Sequence, residues 1–227
     1  MNKIVLLLVL FVTSVNLAFS GIDIDTVKFK EENKKYYVEI SYPKIRNAST
    51  ESTRDFNKLL SSFVEEKKVE FMKDVKSEDY DSTNPFELYV NFEVSYASEE
   101  FVSLVVYTYY FMGGAHGSNI GYSFNYDLDY NKNLKLPDLF DANYLNIISD
   151  YCIKEIMKDD EYADETWVKT GAGPSVENFE AFTLYEQGLV IHFQQYQVLP
   201  YAAGMPDVLI PQAVLKNVVK KGGLLNR

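Results

Sequence analysis

Cysteine is nearly absent from this chain. Cys152 stands alone, so no intramolecular disulfide can form. It lies among Ile147, Ile148, Tyr151 and Ile156 with no cationic neighbour to lower its pKa, and reads as a small buried apolar residue, not a nucleophile. Histidine occurs only twice, at His116 and His192, in neither an HxH nor an HExxH spacing, so neither a metal site nor a cofactor is expected. No GxSxG, P-loop or dinucleotide fingerprint occurs. Gly171-Ala172-Gly173 runs into Pro174 and lacks the strand before and the helix after that such a loop needs. Basic residues are scarce as well, 22 against 33 acidic, for a net charge of −11. That balance argues against nucleic acid, whose phosphates require clustered cations. Repeats and low-complexity linkers are missing. The one long apolar run, Ile4 to Val12, falls short of the roughly 20 residues of a membrane span even when extended through Thr13, Ser14 and Asn16 to Leu17.

That run has a different meaning at the start of a chain. A short cationic beginning at Lys3, the apolar core and the polar close Ala18-Phe19-Ser20 form the pattern of a secretory signal over residues 1–20, with cleavage expected after Ser20 and a retained anchor as the alternative. No cysteine follows the run for lipid attachment. The expected location is the periplasm or the extracellular envelope, with no membrane span once the signal is removed. Loss of Lys3 takes the net charge to −12, a field that attracts cationic partners. Hydrophobic residues at 47% and charged residues at 24% describe an ordinary globular protein of one or two domains. Aromatics are abundant, with 18 Tyr and 15 Phe.

Periodicity predicts an α+β fold, antiparallel sheets with two main helices packed against them. Val27–Lys30 and Tyr36–Pro43 read as strands. From Ser52 to Lys76 a helical apolar stripe runs through Phe56, Leu60, Val64 and Phe71, with Ser52 or Thr53 as cap. Glu87–Tyr96 alternates as a half-buried strand, and Phe101–Met112 is apolar on both faces. The loop Gly113-Gly114-Ala115-His116-Gly117-Ser118 separates it from a strand over Ile120–Leu128. Asp141 is placed to cap a second helix reaching about Lys158. Phe179–Leu184 and Leu189–Val198 read as a hairpin, Val208–Ile210 as a short strand, and Pro211 as the opening of a final helical turn.

Three stretches carry a resemblance: Tyr109 through Gly117 around the glycine loop, Tyr126-Asp127-Leu128 with Leu134 to Phe140, and Gly188 to Phe193. With Tyr196-Gln197-Val198-Leu199-Pro200-Tyr201-Ala202-Ala203-Gly204 and the close at Val208–Pro211, they resemble the domain of unknown function 3298. Residues 25–110 resemble its companion, the domain of unknown function 4163. The organisation expected is a 4163-like region over 21–112 and a 3298-like region over 113–227, forming one compact unit. The resemblance implies a bacterial extracytoplasmic module, found alone, as the outer part of an anti-sigma factor that binds lysozyme, and beside a polysaccharide deacetylase domain that acts on peptidoglycan. With no sigma-binding segment ahead of Met1 and no deacetylase domain after Arg227, signalling and deacetylation are not expected here. Lysozyme or another cationic protein, and a cell-wall glycan, are the partners in view.

Five residues are candidates for ligand contact. His116 is held at a strand end by Gly113, Gly114 and Gly117, which leave backbone amides open; it suits a ligand contact or an acid–base role, against the alternative of a turn residue bonded to a nearby carbonyl. Tyr196 and Tyr201 flank Val198-Leu199-Pro200 and offer flat apolar rings with polar tips, against the alternative of core packing. Tyr107, Tyr109 and Phe111 share one face of their strand. Carboxylate pairs such as Asp127 with Asp129, Asp159 with Asp160 and Glu99 with Glu100 are numerous, as chance alone provides in an acidic chain. No catalytic motif results. The function expected is binding, and the alternative is a hydrolase or deacetylase-like enzyme using His116 or a carboxylate pair.

Overall fold

Alternation of apolar and polar side chains builds the first sheet. The computed structural model describes residues 9–19, 21–77, 84–141, 143–158 and 161–221. Strand β1 (Val9–Phe19) pairs antiparallel with β2 (Ile22–Glu32), and β2 pairs antiparallel with β3 (Tyr36–Ile45). The expected export segment is thus described only as β1; Lys3 and Ser20, where its start and cleavage point fall, lie outside the described residues. Asn33 shapes the β2–β3 turn, its Oδ1 accepting from the Lys35 and Tyr36 amides at 2.7 and 3.1 Å.

Helix α1 (Glu51–Ser77) buries Phe56, Leu60, Val64, Phe71 and Val75, the inner stripe of an amphipathic helix, and packs on β3. Its cap is Thr50, not Ser52 or Thr53, because the helix begins one turn ahead of the apolar stripe. Thr50 Oγ1 accepts from the Thr53 amide, and Thr53 Oγ1 from the Thr50 amide, each at 3.2 Å. The helix crosses over to β4 (Phe86–Ala97), which therefore runs parallel to β3 with Tyr36 opposite Phe86. That parallel pair departs from the all-antiparallel expectation. Strands β5 (Phe101–Phe111), β6 (Ser118–Asp127) and β7 (Lys132–Asn133) complete a sheet ordered β1 to β7.

A smaller antiparallel sheet is ordered β10-β9-β8, from β8 (Phe182–Tyr185), β9 (Gly188–His192) and β10 (Asp207–Pro211). Strand β9 stops six residues before the expected Val198. There the chain turns, with the Gln194 amide donating to Gln197 Oε1 at 2.9 Å. Around this sheet lie α2 (Leu136–Leu139), α3 (Tyr144–Ile156), α4 (Glu165–Gly171) and α5 (Gln212–Leu215), with α3 packed on β10. The residue ahead of α3 is Asn143 at φ +71°, so Asp141 does not cap it. Ile148, Cys152, Phe179, Phe193 and Ile210 fill the core here. The α+β class follows from these two sheets and their helices.

The chain forms two compact units from alternating stretches. One holds residues up to Glu93 with Val106–Ile120 and Leu128–Asn131; the other holds Val94–Val105, Gly121–Asp127 and Lys132 onward. Among the described residues, no helix is long and apolar enough to cross a membrane.

Candidate functional site

In the first unit, strand parity sorts the tyrosines. Val38, Ile40, Leu88, Val90 and Thr108 are buried on one face of β3, β4 and β5, where Tyr36 and Tyr110 meet Phe71 of α1 edge-on. The residues between them face outward. Tyr37 of β3, Tyr89 of β4 and Tyr109 of β5 therefore stand side by side across three strands, ring centroids 5.3 Å apart for the first pair and 5.9 Å for the second. Tyr89 is 37% exposed. Lys30 extends the row, its ammonium 4.9 Å above the Tyr37 ring while it pairs with Glu32 at 3.2 Å. The Tyr37 hydroxyl donates to Glu39, which raises that phenol's pKa, and burial raises that of Tyr89. Both hydroxyls therefore stay protonated at neutral pH; the Tyr37 proton is committed to Glu39, and Tyr89 can donate. The result is an amphipathic ladder, flat apolar faces with polar edges.

The glycine loop belongs to the same place. Gly113 and Gly114 have φ of +87° and +101°, a region that side chains with a Cβ rarely adopt, and so let the chain reverse after β5. Gly117 is required by contact, since a Cβ there would overlap the ring of Tyr109. His116 is exposed, and its Nδ1 lies 2.9 Å from the carbonyl oxygen of Gly117. A carbonyl only accepts, so Nδ1 carries the proton, and in the neutral ring Nε2 is the acceptor. Three of the five expected residues, Gly113, Gly114 and His116, thus adjoin the ladder through Gly117 and Tyr109. Tyr37 and Tyr89 were not among the candidates. Their signal was parity: each alternates with buried Val38 or Leu88.

Tyr196 and Tyr201 lie in the other unit. Tyr196 is 49% exposed at φ +64°, and its ring centroid is 5.8 Å from that of Tyr201. Its carbonyl accepts from the Trp167 indole at 3.0 Å. Glutamine amides pin the turn on both sides: Gln194 exchanges bonds with the backbone of Gly121 at 2.9 and 3.0 Å, and Gln197 donates to the Gly171 and Asn178 carbonyls at 2.9 and 2.8 Å. The turn thereby presents two neighbouring phenols, their rings tilted 42° to each other.

One arrangement has the order of a catalytic chain. His192 Nδ1 donates to Asp207 at 2.8 Å, and Nε2 accepts from Thr183 Oγ1 at 2.7 Å. Yet Thr183 is fully buried and His192 is 3% exposed, so no substrate can reach the hydroxyl. The chain clamps β8, β9 and β10 across the sheet. Burial pushes the Cys152 thiol up to about 12, with Glu155 adding to it, which keeps it protonated and inert. Asp127 is buried while Asp129, Glu99 and Glu100 are exposed; Asp159 and Asp160 lie outside the described residues. Among the described residues, no three His, Cys, Asp or Glu side chains gather as a metal would require.

Residues 137–213 match the family described as "Protein of unknown function (DUF3298)", the family expected, although the stretches Tyr109–Gly117 and Tyr126–Leu128 lie outside that match. Residues 29–119 match the family described as "Deacetylase PdaC", in place of the expected domain of unknown function 4163. Among curated proteins, the chain is 29% identical over 203 residues to the peptidoglycan-N-acetylmuramic acid deacetylase PdaC of Bacillus subtilis, a match over 88% of this chain and 42% of that protein. The chain therefore spans less than half the length of that relative. A DUF3298 protein of Bacteroides fragilis has the same fold at a TM-score of 0.70, with 16% identity, over 92% of this chain and 98% of that one. A second, from Pseudomonas aeruginosa, aligns at 0.67 and 16% identity over 89% and 96%.

Proposed function

We propose that this chain, which carries a DUF3298 region behind a PdaC-like one, is an exported binding module for peptidoglycan-type glycan, with the tyrosine ladder as its contact face and no catalysis of its own. The observation that carries the reading is the row Tyr37, Tyr89, Tyr109. Tyrosine rings suit the apolar C–H faces of sugars, and their hydroxyls suit the ring hydroxyls. The peptidoglycan deacetylase relative supports the ligand class. The loop of Gly113, Gly114 and His116 borders the ladder, and the Tyr196–Tyr201 pair is a second contact in the other unit.

Titration of the full chain with chitotriose and with soluble muropeptides tests this. Y37A and Y89A should each weaken binding about tenfold, the loss of one well-placed aromatic contact, with melting temperature moved by only a few degrees. Unchanged affinity in both variants, or no binding by the unaltered chain, removes the ladder from the function. Release of acetate or new reducing ends from peptidoglycan, abolished by H116A in a folded protein, would replace binding with catalysis.

The net charge of −11 favours a second partner, a cationic protein such as lysozyme.

A further inference from the structure

A chain so acidic nevertheless concentrates cations at one place in its first unit. Where β2 begins and β3 ends, beside the start of α1, a cleft of about 770 Å³ opens, within the range of small-ligand sites. Its floor is two cross-strand pairs, Asp25 opposite Lys44 and Val27 opposite Tyr42. Its wall is one helical face, Arg54, Asn57, Lys58 and Ser61, at the spacing that puts four side chains on one side. Arg46 closes the end. The wall is fixed to the floor by Asn57, whose Oδ1 accepts from the Ile45 amide at 2.8 Å and whose Nδ2 donates to the Ile45 carbonyl at 3.0 Å.

Four cations therefore line the cleft against one lining acid. Arg46 holds that acid: its Nε donates to both Asp25 oxygens, at 3.0 and 3.1 Å, and its Nη2 donates as well, while Asp23 stands 3.6 Å from Nη1. Arg54 donates to the Ser49 carbonyl, a neutral partner, and so retains its full charge. Lys44 and Lys58 are exposed. Burial, with Glu65 of the helix adding to it, raises the pKa of the Tyr42 phenol, so that ring is neutral. Three cations around a half-buried tyrosine ring, Lys44 opposite Asp25 on the floor and Arg54 and Lys58 on the wall, make a place for an acid on a sugar.

We infer that this cleft binds an oligosaccharide bearing carboxylates, its acid groups on Lys44, Arg54 and Lys58 and a sugar ring over Tyr42 and Val27. The cleft already holds one carboxylate, that of Asp25, in the planar fork of Arg46. This site is separate from the ladder and does not require it. The test titrates the full chain with trigalacturonate, with chitotriose as its neutral counterpart and with inorganic phosphate. The unaltered chain should bind trigalacturonate, and the exposed double change K44Q/K58Q should weaken it at least tenfold while chitotriose affinity stays the same. Equal trigalacturonate binding by the double variant overturns the cleft, as does an unaltered chain that binds none. Phosphate binding as tightly as trigalacturonate would reduce the cleft to a general anion site and overturn the sugar contact. Failure of the chitotriose arm alone counts against the ladder and leaves the cleft standing.

Discussion

Gly117 carries more of the candidate site than its size suggests. Because a Cβ would overlap the Tyr109 ring, the ring lies where it does only over a glycine. The atoms in the way are the far end of a side chain, which can swing aside, so G117A should not unfold the protein. It should displace Tyr109 and break its 5.9 Å contact with Tyr89. We expect a changed near-ultraviolet tyrosine signal and weaker chitotriose binding, with melting temperature within a few degrees of the parent. A variant with unchanged spectrum and affinity would mean that Tyr109 lies outside the contact face. Single residues were unevenly legible in the sequence. His116 and its glycines stood out because loop chemistry is local. Tyr37 and Tyr89 did not, since they become neighbours only when β3 and β4 pair in parallel across a helix of 27 residues.

Among elements, the long and periodic ones could be read. The alternation of β4 and the stripe of α1 place buried residues by simple repeats, whereas α4 has only seven residues, too few for a period to register. Its one sign is Asp164, whose Oδ1 accepts from the Trp167 amide at 2.8 Å. Between elements, the Arg46 bond draws the Asp25 carboxyl below its ordinary 3.8, with burial opposing. A depressed carboxyl contributes stability above that ordinary value and loses it as pH falls through the lowered one. Side-chain exposures of 33% for Arg46 and 18% for Asp25 leave water to screen the pair, so its contribution is small. D25N should therefore melt slightly lower than the parent at pH 7, and the gap should close near pH 2. An equal gap at both pH values would show that the lost contribution is not ionic.

For the whole molecule, charge separates the partner classes. A protein of net −11 should associate with lysozyme rapidly at low salt, and the rate should drop steeply as ionic strength shortens the screening length to about 8 Å at 0.15 M. Chitotriose, being neutral, should bind alike at both salts. Stopped-flow association at 20 and 300 mM salt checks this; a lysozyme rate indifferent to salt would remove electrostatic attraction as its basis. The net charge also concealed the cationic cleft, because Lys44, Arg46, Arg54 and Lys58 are divided among a strand, the turn after it and a helix, and outnumbered elsewhere.

The alternation of stretches between the two units bears on how the chain is made. The first unit takes in Val106–Ile120 and Leu128–Asn131, yet Val94–Val105, made before them, belongs to the second. Synthesis is vectorial, so a nascent chain halted at residue 112 would own β2, β3 and α1 but not the close of its sheet. The first unit has all its residues only at Asn131, after two stretches of the second have already been made. Maturation must wait for a long stretch of polypeptide, and until then the growing chain carries tyrosine-rich strands whose partners are still unmade.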